Sequence, residues 1–563
     1  MASRIPQAAG LIALGALVAA GCSRTPPAPE AGARVAPATY ATPPAAARYW
    51  NSATIYFLLT DRFANGDPSN DGALGRKKDG ARLRNFEGGD LKGLTEKVNA
   101  GYFDSLGVDA IWLTPFVEQV HGAVDEGTGK TYGYHGYWAR DWTAVDPALG
   151  NKDELRAFVE AAHAHRIRVL MDAVINHPGP VTPEDPSWGD AWMRTTPQCT
   201  YKDYATATDC TLVPTLPDVR TESDAAVELP EMLVAKWTAE GRLDAEKASL
   251  DAFFQRTGHP RAPRFYFIKW LTDWVREYGI DGYRIDTAKH FEEDVALELR
   301  HEADRALADW RAAHPGKAID SLPFYIVGEV YGYGLGAGRT YDFGDRKVDY
   351  FAHGYDALIN FDFKWQARDS LGARYAAYAA SLTTGPLQGV AVLNYVSSHD
   401  DGGPLDKDRT DPLGSGTKLL LAPGGAQIYY GDETARPLTI PGATGDANLR
   451  SPMNWSDLAR GARAPVVLAH WRKLGMFRKA HPAIGAGTHR ELQATPLVFA
   501  RTLDTDTVIV ALDLEPGAKA IPVGGLFPDG TALVDAYTGT VTKVQGGKAV
   551  LTTPASLVLL ATP

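Results

Sequence analysis

The stretch Gly282–His290 reads GYRIDTAKH and combines a short strand pattern with several charged or polar side chains. In a β-strand the side chains of residues i and i+2 point to the same face, so Arg284 and Asp286 share one face. A charge pair fixed in a protein core is costly, whereas the same pair is useful in a binding or catalytic site. The stretch therefore predicts a functional site at the end of this strand.

The strand pattern recurs along the chain. Apolar runs alternate with amphipathic stretches such as 152–165 and 264–278, whose apolar positions lie three or four residues apart. Strands that alternate with helices predict a parallel sheet, and eight such strands predict an α/β fold with one closed (β/α)8 TIM barrel. The eight runs read, in chain order, ATIYFLLT, VDAIWLTP, IRVLMDAV, DGYRID, FYIVGEV, ALINFDF, VAVLNYVSSHD and AQIYYGDE.

Acids and histidines stand where several of these runs end. They are Asp172, Asn176 and His177 after the third run, Asp286 after the fourth, Glu329 after the fifth, and His399 and Asp400 after the seventh. In a parallel barrel the carboxyl ends of the strands meet at one rim, and the chemistry of such barrels takes place there. The order of residues therefore predicts one site rich in carboxylates at that rim.

The chain of 563 residues is slightly acidic, with 57 Lys and Arg against 68 Asp and Glu and a formal net charge of −11. It has no basic cluster that could neutralise a row of phosphates, which argues against nucleic acid as a partner. A hydrophobic fraction of 45% is ordinary for a globular protein with a large core. The sequence leaves the oligomeric state open, with a monomer as the default.

The first residues have the pattern of a targeting segment. The apolar run Leu11–Ala20 is too short to span a bilayer, and Cys22 follows it closely. This pattern is similar to the bacterial lipoprotein signal, in which residues 1–22 end at the acylated cysteine. Ala19 stands where that signal usually has Leu or Val, so an ordinary cleaved signal stays as an alternative. Both interpretations predict export, with a lipid on Cys22 as the one membrane contact.

Residues 23–48 are rich in Ala and Pro, a composition that predicts a disordered or partly extended linker. The chain has three cysteines, and if Cys22 carries lipid, Cys199 and Cys210 remain as a pair. In an oxidising compartment such a pair predicts a disulfide, with two free thiols as the alternative. Zinc binding by two cysteines is disfavoured because structural zinc prefers four ligands.

Four motifs carry a resemblance to a known family. DAVINH, GYRIDTAKH, VGEV and NYVSSHD occur in this order. They resemble the four signature regions of the α-amylase family of glycoside hydrolases, and the resemblance covers about 49–487. It implies a catalytic barrel formed by 49–177 and 262–487, an insertion domain at 178–261 after the third strand, and a C-terminal domain. The last segment, 488–563, alternates apolar residues with Gly, Pro and Asp turns, which predicts an antiparallel β-sandwich.

The resemblance also implies a chemistry. Retaining glycosidases use one carboxylate as a nucleophile and a second as acid and then base, about 5 to 5.5 Å apart. By motif position Asp286 is the nucleophile, Glu329 is the acid/base and Asp400 is the third acid, which holds sugar hydroxyls. We expect Arg284 to keep Asp286 ionised and aimed, whereas neighbouring negative charges and partial burial keep Glu329 protonated.

Further residues match the substrate-binding positions of the family. His177 and His399 resemble the two histidines that bind hydroxyls of the sugar at the cleavage point. In the segment YGYHGYWARDW, Tyr137 is the expected stacking platform beneath this sugar, with Trp138 and His135 nearby. Lys289 resembles the lysine that binds sugar on the leaving-group side.

The resemblance implies calcium as the cofactor, at two sites. Calcium prefers six to eight hard oxygen ligands. For the first site the matching residues are Asn176, Asp218 and the backbone carbonyl of His290. For the second, near the first strand, they are Asn65, Asp67, Asn70, Asp71, the carbonyl of Gly88, and Asp90. The alternative for this second cluster is a turn rich in Asn and Asp without a metal.

These expectations combine into an exported, calcium-dependent α-amylase that hydrolyses internal α-1,4-glucosidic bonds of maltodextrins or starch. Its location would be the periplasm, or a membrane face as an outer-membrane lipoprotein of a Gram-negative bacterium. One alternative is a transglycosylase or cyclodextrin-acting enzyme of the same family, since acceptor choice depends on aromatic residues in loops. Another is a non-catalytic lipoprotein that binds glycans on an amylase scaffold.

Overall fold

The computed structural model describes residues 39–461 and 463–563. Among these residues, eight parallel strands close into a barrel in the order β1-β8-β7-β6-β5-β4-β3-β2. Each strand coincides with one of the eight apolar runs, so the predicted barrel is confirmed. The strands are β1 Thr54–Leu58, β2 Ala110–Leu113, β3 Arg168–Ala173, β4 Gly282–Ile285, β5 Tyr325–Gly328, β6 Ala357–Asn360, β7 Ala391–Tyr395 and β8 Gly425–Tyr429.

The longer helices lie mainly between the barrel strands, and a helix precedes β1. Both amphipathic stretches singled out in the sequence are helical. The helices of nine or more residues in the described chain are α1 Pro44–Ser52, α2 Leu91–Asn99, α3 Lys152–Ala164, α4 Glu231–Ala239, α5 Leu243–Thr257, α6 Pro263–Tyr278, α7 Asp294–Ala313, α8 Leu371–Thr383, α9 Pro412–Leu420 and α10 Arg463–Ala480. None of the helices in the described residues is both long and apolar enough to cross a membrane.

Sequence signals at the helix ends match these boundaries. Asn151 caps α3 by accepting hydrogen bonds from the backbone N–H groups of Asp153 and Glu154, and the Glu154 carboxylate accepts one from the Asn151 N–H in return. Such a reciprocal cap satisfies backbone donors that a helix start leaves free. Gly279 ends α6 with a φ of 77°, a conformation that glycine adopts without strain.

The barrel strands are buried along their whole length. Their registers bring the predicted site residues to one level. Arg284 on β4 pairs with Asp172 on β3 and with Val327 on β5, and Ile285 pairs with Gly328. Glu329 therefore follows β5 directly at the same rim at which Asp286 follows β4.

A long segment after β3 contains α4, α5 and a short pair of strands, Met193–Arg194 with Asp218–Val219. Cys199 and Cys210 form a disulfide in this segment. Three other short antiparallel pairs of strands lie outside the barrel sheet. They are Val117–Gln119 with Ala139–Val145, Val124–Asp125 with Lys130–Thr131, and Tyr341–Asp342 with Lys347–Val348.

The C-terminal part of the chain forms an antiparallel sheet in the order β9-β10-β11-β16-β13-β14-β15-β12. Its strands bury a second small core, which includes Ile509, Leu533 and Leu560. Within this fully described region the strands are β9 Thr488–Gln493, β10 Val498–Leu503, β11 Asp506–Ala511, β12 Gly517–Pro522, β13 Ala532–Asp535, β14 Thr540–Gln545, β15 Lys548–Thr553 and β16 Val558–Ala561.

The end of the predicted linker requires a correction. Helix α1 begins at Pro44, inside the segment 23–48 that we predicted as a linker. Tyr40 and Thr42 donate hydrogen bonds from their hydroxyls to Asp356 at 2.9 and 3.0 Å, so the chain is tied to the barrel before α1 begins. The Ala-rich composition was misleading because alanine is common in linkers and is also the residue with the highest helix propensity. The signal segment and Cys22 lie outside the described residues.

Candidate active site

Arg284 is the centre of the site. Its guanidinium lies 2.5 Å from Asp172, 2.6 Å from Asp286 and 2.9 Å from Glu329, each measured from nitrogen to carboxylate oxygen. These four side chains come from β3, from β4 and its end, and from the end of β5. One buried arginine therefore joins three carboxylates at the rim, and only an arginine offers enough N–H donors in a fixed fork to do so.

The backbone at the end of β4 positions the two predicted catalytic acids. The N–H of Asp286 donates to Ala173 at 3.1 Å, and the N–H of Thr287 donates to the Glu329 carboxylate at 2.9 Å. Thr287 has a φ of 48°, in the left-handed region that β-branched residues avoid. Such a conformation persists where the surrounding contacts fix it, and it commonly marks functional sites. The strained turn thus links the two acids directly.

Burial governs the ionisation of both acids. Desolvation raises the pKa of Asp286 to about 6, although the charge of Arg284 lowers it. Desolvation likewise raises the pKa of Glu329 to about 7; Arg284 lowers it, and the charges of Asp286 and Asp400 raise it. Our expectation for Arg284 was incomplete, because burial at Asp286 outweighs the effect of the arginine. Glu329 nevertheless holds its proton to a higher pH than Asp286 does.

Asp172, which the sequence placed at this rim without assigning it a role, belongs to the same cluster. Its carboxylate accepts hydrogen bonds from the indole of Trp112 at 2.8 Å and from the hydroxyl of Tyr137 at 2.9 Å. Desolvation raises its pKa to about 6 against the opposing effect of Arg284. The motif DAVINH carried the signal for this role, because its first residue lies on β3 directly opposite Arg284 of β4.

Asp400 lies on the open side of the site with 42% of its side chain exposed. His399 Nε2 is 2.8 Å from one carboxylate oxygen, and Arg450 donates a hydrogen bond to the other. Desolvation alone would raise the pKa of Asp400, but His399 and Arg450 hold this pKa well below its usual range. Asp400 is thus ionised throughout the pH range in which Asp286 and Glu329 titrate.

Arg450 was missed by the sequence reasoning. Its Nε donates to the backbone carbonyl of His399 at 3.1 Å, and its Nη1 lies 2.6 Å from Asp446. Asp446 in turn accepts a hydrogen bond from Arg84 at 2.7 Å. Both Asp446 and Arg450 lie in a short 3-10 helix after β8, Gly445–Arg450, whose sequence has no periodic pattern that marks a side chain as facing the site.

The predicted sugar platform and its neighbours lie together. The Tyr137 ring stacks against His399 with centroids 5.2 Å apart, and His135 contacts both Tyr137 and Trp138. His177 is buried, its Nδ1 has no hydrogen-bond partner among the described residues, and desolvation lowers its pKa to about 4. A neutral imidazole with a free nitrogen is suited to bind a hydroxyl group.

Comparisons with known proteins agree with this geometry. The family profile described as "Alpha amylase, catalytic domain" matches residues 57–462. The chain is 38% identical over 505 residues to the periplasmic alpha-amylase of Escherichia coli K12, covering 79% of this chain and 69% of that protein. The chain belongs to the α-amylase family of glycoside hydrolases.

More distant relatives include a protein that is named as a transferase. A cyclomaltodextrin glucanotransferase of Paenibacillus macerans is 24% identical over 524 residues, which cover 88% of this chain but only 63% of that enzyme. Among solved structures, the α-amylase of Geobacillus thermoleovorans in complex with acarbose superposes with a TM-score of 0.63 at 22% identity. That superposition covers 91% of this chain and 99% of the other, and at this identity it shows the shared fold.

The residues predicted for the first calcium site of this family member converge between β3, β4 and the insertion. Asn176 accepts a hydrogen bond from the N–H of Val219 at 2.8 Å through its backbone carbonyl, whereas both polar atoms of its side chain lack a partner among the described residues. Asp218 is buried, and its Oδ2 lies 3.0 Å from Arg194. His290 binds the carbonyl of Ala207 through Nδ1 at 3.0 Å.

Three further acids gather beside Asp218 and were not predicted. Carboxylate oxygens of Asp209, Glu222 and Glu292 lie within 4.8 Å of one another. Desolvation raises the pKa of Asp218 to about 9; Arg194 lowers it, and these three acids raise it. Three of these four carboxylates, those of Asp209, Asp218 and Glu222, pair with the one guanidinium of Arg194. This donor set of hard oxygens fits a divalent cation such as calcium. The acids lie outside any motif, so only the fold reveals them.

The second predicted cluster is only partly free to bind a metal. Asn65 donates to Asp71 at 2.8 Å, Gly88 packs against both of these side chains, and the buried Oδ1 of Asn70 lacks a partner among the described residues. Asp67 accepts two hydrogen bonds from Ser69. Asp90 caps α2 and accepts from the N–H groups of residues 66, 67 and 93. In this structure the cluster therefore also forms the turn that we gave as the alternative.

Lys289 lies at the edge of the site. Its Nζ donates to the backbone carbonyl of Tyr331 at 2.8 Å and to the hydroxyl of Tyr341 at 3.2 Å. The ammonium also lies 5.8 Å from the ring centroid of Tyr201, which is half exposed. This arrangement places a cation among aromatic rings on the side of the site that contains Glu329.

Proposed function

We propose that this chain is an exported enzyme that hydrolyses internal α-1,4-glucosidic bonds of maltodextrins or starch with retention of configuration. The observation that supports this most strongly is the shared guanidinium of Arg284, which holds Asp286 and Glu329 at the ends of neighbouring strands. Retaining glycosidases need two carboxyl groups that are close enough to act on one bond. The membership of the α-amylase family supports the substrate class.

In the proposed mechanism Asp286 attacks the anomeric carbon. Arg284 binds its Oδ1 at 2.6 Å and so orients Oδ2 for attack. Glu329, protonated before the reaction, donates its proton to the oxygen of the leaving sugar as the glycosidic bond breaks. This forms a covalent glycosyl ester on Asp286. Glu329 then takes a proton from water, which attacks the same carbon and releases the sugar with its original configuration.

The surrounding residues hold the sugar ring at the point of cleavage. Asp400, ionised and partly exposed, accepts hydrogen bonds from ring hydroxyls, and His399 and His177 supply imidazole nitrogens beside it. Tyr137 offers a flat ring that is fixed from behind by its hydrogen bond to Asp172. Rigid groups of this kind favour a distorted sugar because their bonds shorten as the transition state forms.

Asn176, Asp218 and the carbonyl of His290 would hold calcium, with Asp209, Glu222 or Glu292 as additional ligands. The unpartnered side chain of Asn176 and the excess of carboxylates support this assignment. A bound calcium ion supplies structural cross-linking between barrel strands and the insertion. This chain's own residues carry out every chemical step of the proposed mechanism.

A purified chain tests the proposal directly. We expect it to shorten starch and maltodextrins, and we expect Asp286→Asn and Glu329→Gln to reduce the rate by at least about 10³-fold while glucan binding persists. Asp504→Asn, at an exposed acid of the C-terminal sheet, serves as the matched control. An inactive wild type that binds oligosaccharides would favour the non-catalytic glycan-binding alternative.

A transferase activity is the second candidate, because the family relatives include a protein named cyclomaltodextrin glucanotransferase. Hydrolysis and transfer differ in whether water or another sugar accepts the glycosyl group. A defined maltoheptaose substrate separates them, since a hydrolase yields only shorter chains. Products longer than seven glucose units, or cyclic products, would support the transferase.

Export is supported by the periplasmic relative and by the N-terminal pattern. We propose that Cys22 is acylated and anchors the protein. Labelling cells with a fatty-acid analogue tests this, because the wild type should incorporate the label and Cys22→Ala should not. Recovery of an unlabelled wild-type protein from the periplasmic fraction would support the ordinary cleaved signal.

A further inference from the structure

The loop that follows β8 is mostly buried and contacts two segments of the active site. We name residues 430–436 the β8 loop, which begins directly after the last residue of β8. Two of its charged side chains, Asp432 and Arg436, are fully buried. Burying a charge costs free energy unless the group is well paired or hydrogen-bonded. The partners of these two side chains therefore indicate what the β8 loop holds in place.

Asp432 binds the segment that leads from β7 to Asp400. The hydroxyl of Ser397 donates to Asp432 Oδ1 at 2.5 Å, and Ser397 precedes Asp400 by three residues. Arg409 donates to the same oxygen at 2.6 Å through Nη2 and to the carbonyl of Arg436 at 2.9 Å through Nε. Arg409 has a φ of 54°, a left-handed conformation that persists where surrounding contacts fix it. Asp432 is thus held firmly while it holds Ser397.

Arg436 binds the backbone on both sides of Arg450. Its Nη1 donates to the carbonyl of Leu449 at 3.2 Å and to the carbonyl of Ser451 at 3.1 Å. The same nitrogen donates to the Ser451 hydroxyl at 2.8 Å. A Cβ atom added to Gly431 would lie 2.5 Å from the Arg436 side chain, so this glycine lets the arginine fold back onto its own loop. The β8 loop therefore also fixes the segment that carries Arg450.

Both of these segments meet at one carboxylate, because Arg450 donates a hydrogen bond to Asp400. We infer that Asp432 and Arg436 are positioning residues that set the orientation of Asp400. Asp432 acts through Ser397, and Arg436 acts through Arg450. This inference rests on the proposed function, in which Asp400 holds hydroxyls of the sugar at the cleavage point. Such hydrogen bonds strengthen in the transition state, so a loosened Asp400 should lower kcat more than it raises KM.

The inference predicts a loss of rate with little loss of binding. Ser397→Ala removes one hydroxyl and so releases the segment before Asp400 from the β8 loop. We expect its kcat on maltoheptaose to fall by about tenfold, less than the roughly 10²-fold cost of a displacement of about 1 Å, with KM within about twofold of the wild type. Arg436→Lys keeps the charge but replaces the planar fork by one ammonium group, so its kcat should fall at least as much.

Thr272→Val is the matched control for the loss of one buried hydroxyl. Thr272 lies on α6, and its hydroxyl donates to the backbone carbonyl of Lys269 at 3.1 Å. We expect this variant to keep the kcat and KM of the wild type. Unfolding temperatures measured on all variants show whether a loss of rate accompanies a loss of stability.

A double variant separates positioning from a general structural effect. If Ser397 acts through Asp400, Ser397→Ala should change the rate by less than about twofold once Asp400→Asn is already present. Maltosyl fluoride serves as the substrate here, because its reactive leaving group keeps the weak activity of these variants measurable. An equal proportional loss with and without Asp400→Asn would overturn the inference, as would an unchanged kcat in Ser397→Ala.

The two levels of the account fail in different ways. If Arg436→Lys does not fold, Ser397→Ala decides, because it removes a single oxygen atom. A wild type with no activity on any glucan would defeat the proposed function. An active wild type whose Ser397→Ala variant keeps its kcat would defeat only the positioning role of the β8 loop.

Discussion

At the scale of single residues, Arg284 explains why charged groups are tolerated at the end of a buried strand. A buried carboxylate without a partner would be strongly destabilising, and three of them share this one guanidinium. The arginine does not neutralise them fully, because burial still raises the pKa of each acid. The site therefore keeps a proton near neutral pH, which acid catalysis requires.

The pKa values predict a bell-shaped pH dependence. Asp286, with a pKa of about 6, must be ionised to attack, so kcat/KM should rise with pH through about 6. Glu329, with a pKa of about 7, must be protonated, so kcat/KM should fall as the pH rises beyond about 7. Measuring kcat/KM for maltotriose between about pH 4 and about pH 9 tests both the acid and the alkaline limb of this profile.

A substrate with a fluoride leaving group provides the control for this profile. Fluoride departs without a proton, so the first step on maltosyl fluoride no longer needs the acid form of Glu329. The alkaline limb should then flatten while the acid limb stays. An unchanged alkaline limb would assign it to a group other than Glu329.

Replacing Arg284 by lysine keeps the charge but removes the fork. One ammonium group cannot bind all three carboxylates in the same geometry, and a misplacement of about 1 Å in an active site costs roughly 10²-fold in rate. We expect kcat of Arg284→Lys to fall by about this factor. Arg156→Lys, at a partly exposed arginine on α3, is the control. A variant within twofold of the wild type would contradict the positioning role.

At this scale the sequence predicted much, but not all, of the site. Arg284, Asp286, Glu329, His399 and Asp400 lie in short motifs that end strands, so their meeting point followed from the barrel. Arg450, which also pairs with Asp446, reaches Asp400 from a short 3-10 helix, and no periodic pattern in the sequence shows where its side chain points. The balance between burial and charge at Asp286 also depends on three-dimensional packing.

At the scale of elements, the segment after β3 is tied to β4 by polar groups around Asp218. Because a carboxylate-rich cluster repels itself, a bound cation should stabilise this junction. We expect added calcium to raise the unfolding temperature by several degrees, since a ligand at 100 times its Kd contributes about 2.7 kcal/mol. Thermal unfolding with calcium or with a chelator measures this.

Variants locate the source of that stabilisation. Asp218→Asn should abolish most of the calcium-dependent shift, whereas Asp190→Asn, at an exposed acid of the same insertion, should preserve it. Asn70→Ala tests the second cluster separately, because any remaining shift that it removes belongs there. A wild type whose unfolding temperature ignores both calcium and chelator would contradict the calcium assignment.

The barrel strands were predictable because each is buried along its length and therefore reads as a continuous apolar run. Helix α1 was not, since its sequence PAAARYWNS combines linker-like alanines with the aromatic residues that bury it. The contact that holds this helix on the barrel is made by Trp50, whose ring stacks on Tyr325 of β5 with centroids 3.6 Å apart. A contact between residues so distant in sequence has no local signature.

At the scale of the whole molecule, the barrel and the C-terminal sheet share one core. Phe499, Val508 and Val510 belong to the same buried cluster as the barrel interior, and Phe499 contacts Tyr375 of α8 with ring centroids 5.7 Å apart. The guanidinium of Arg501 is fully buried and donates to the carbonyl of Ile484. The C-terminal sheet therefore covers part of the apolar surface of the barrel.

This shared core predicts the outcome of a truncation. A chain that ends at residue 487 would expose apolar side chains on α8 and leave the carbonyl of Ile484 without its buried donor. We expect this fragment to be insoluble or to unfold at a much lower temperature than the full chain. Soluble expression and thermal unfolding are the measurements. A soluble fragment with full activity would show that the sheet is dispensable.

The central claim is that Asp286 becomes covalently bound to sugar while Glu329 transfers the proton. Its most direct test is to incubate Glu329→Gln with a fluorinated maltosyl fluoride, which forms the ester without needing the acid and hydrolyses it slowly, and to map the modified peptide by mass spectrometry. We predict one added glycosyl group, located on Asp286. A glycosyl group on another residue, or no adduct together with products of inverted configuration, would contradict the account.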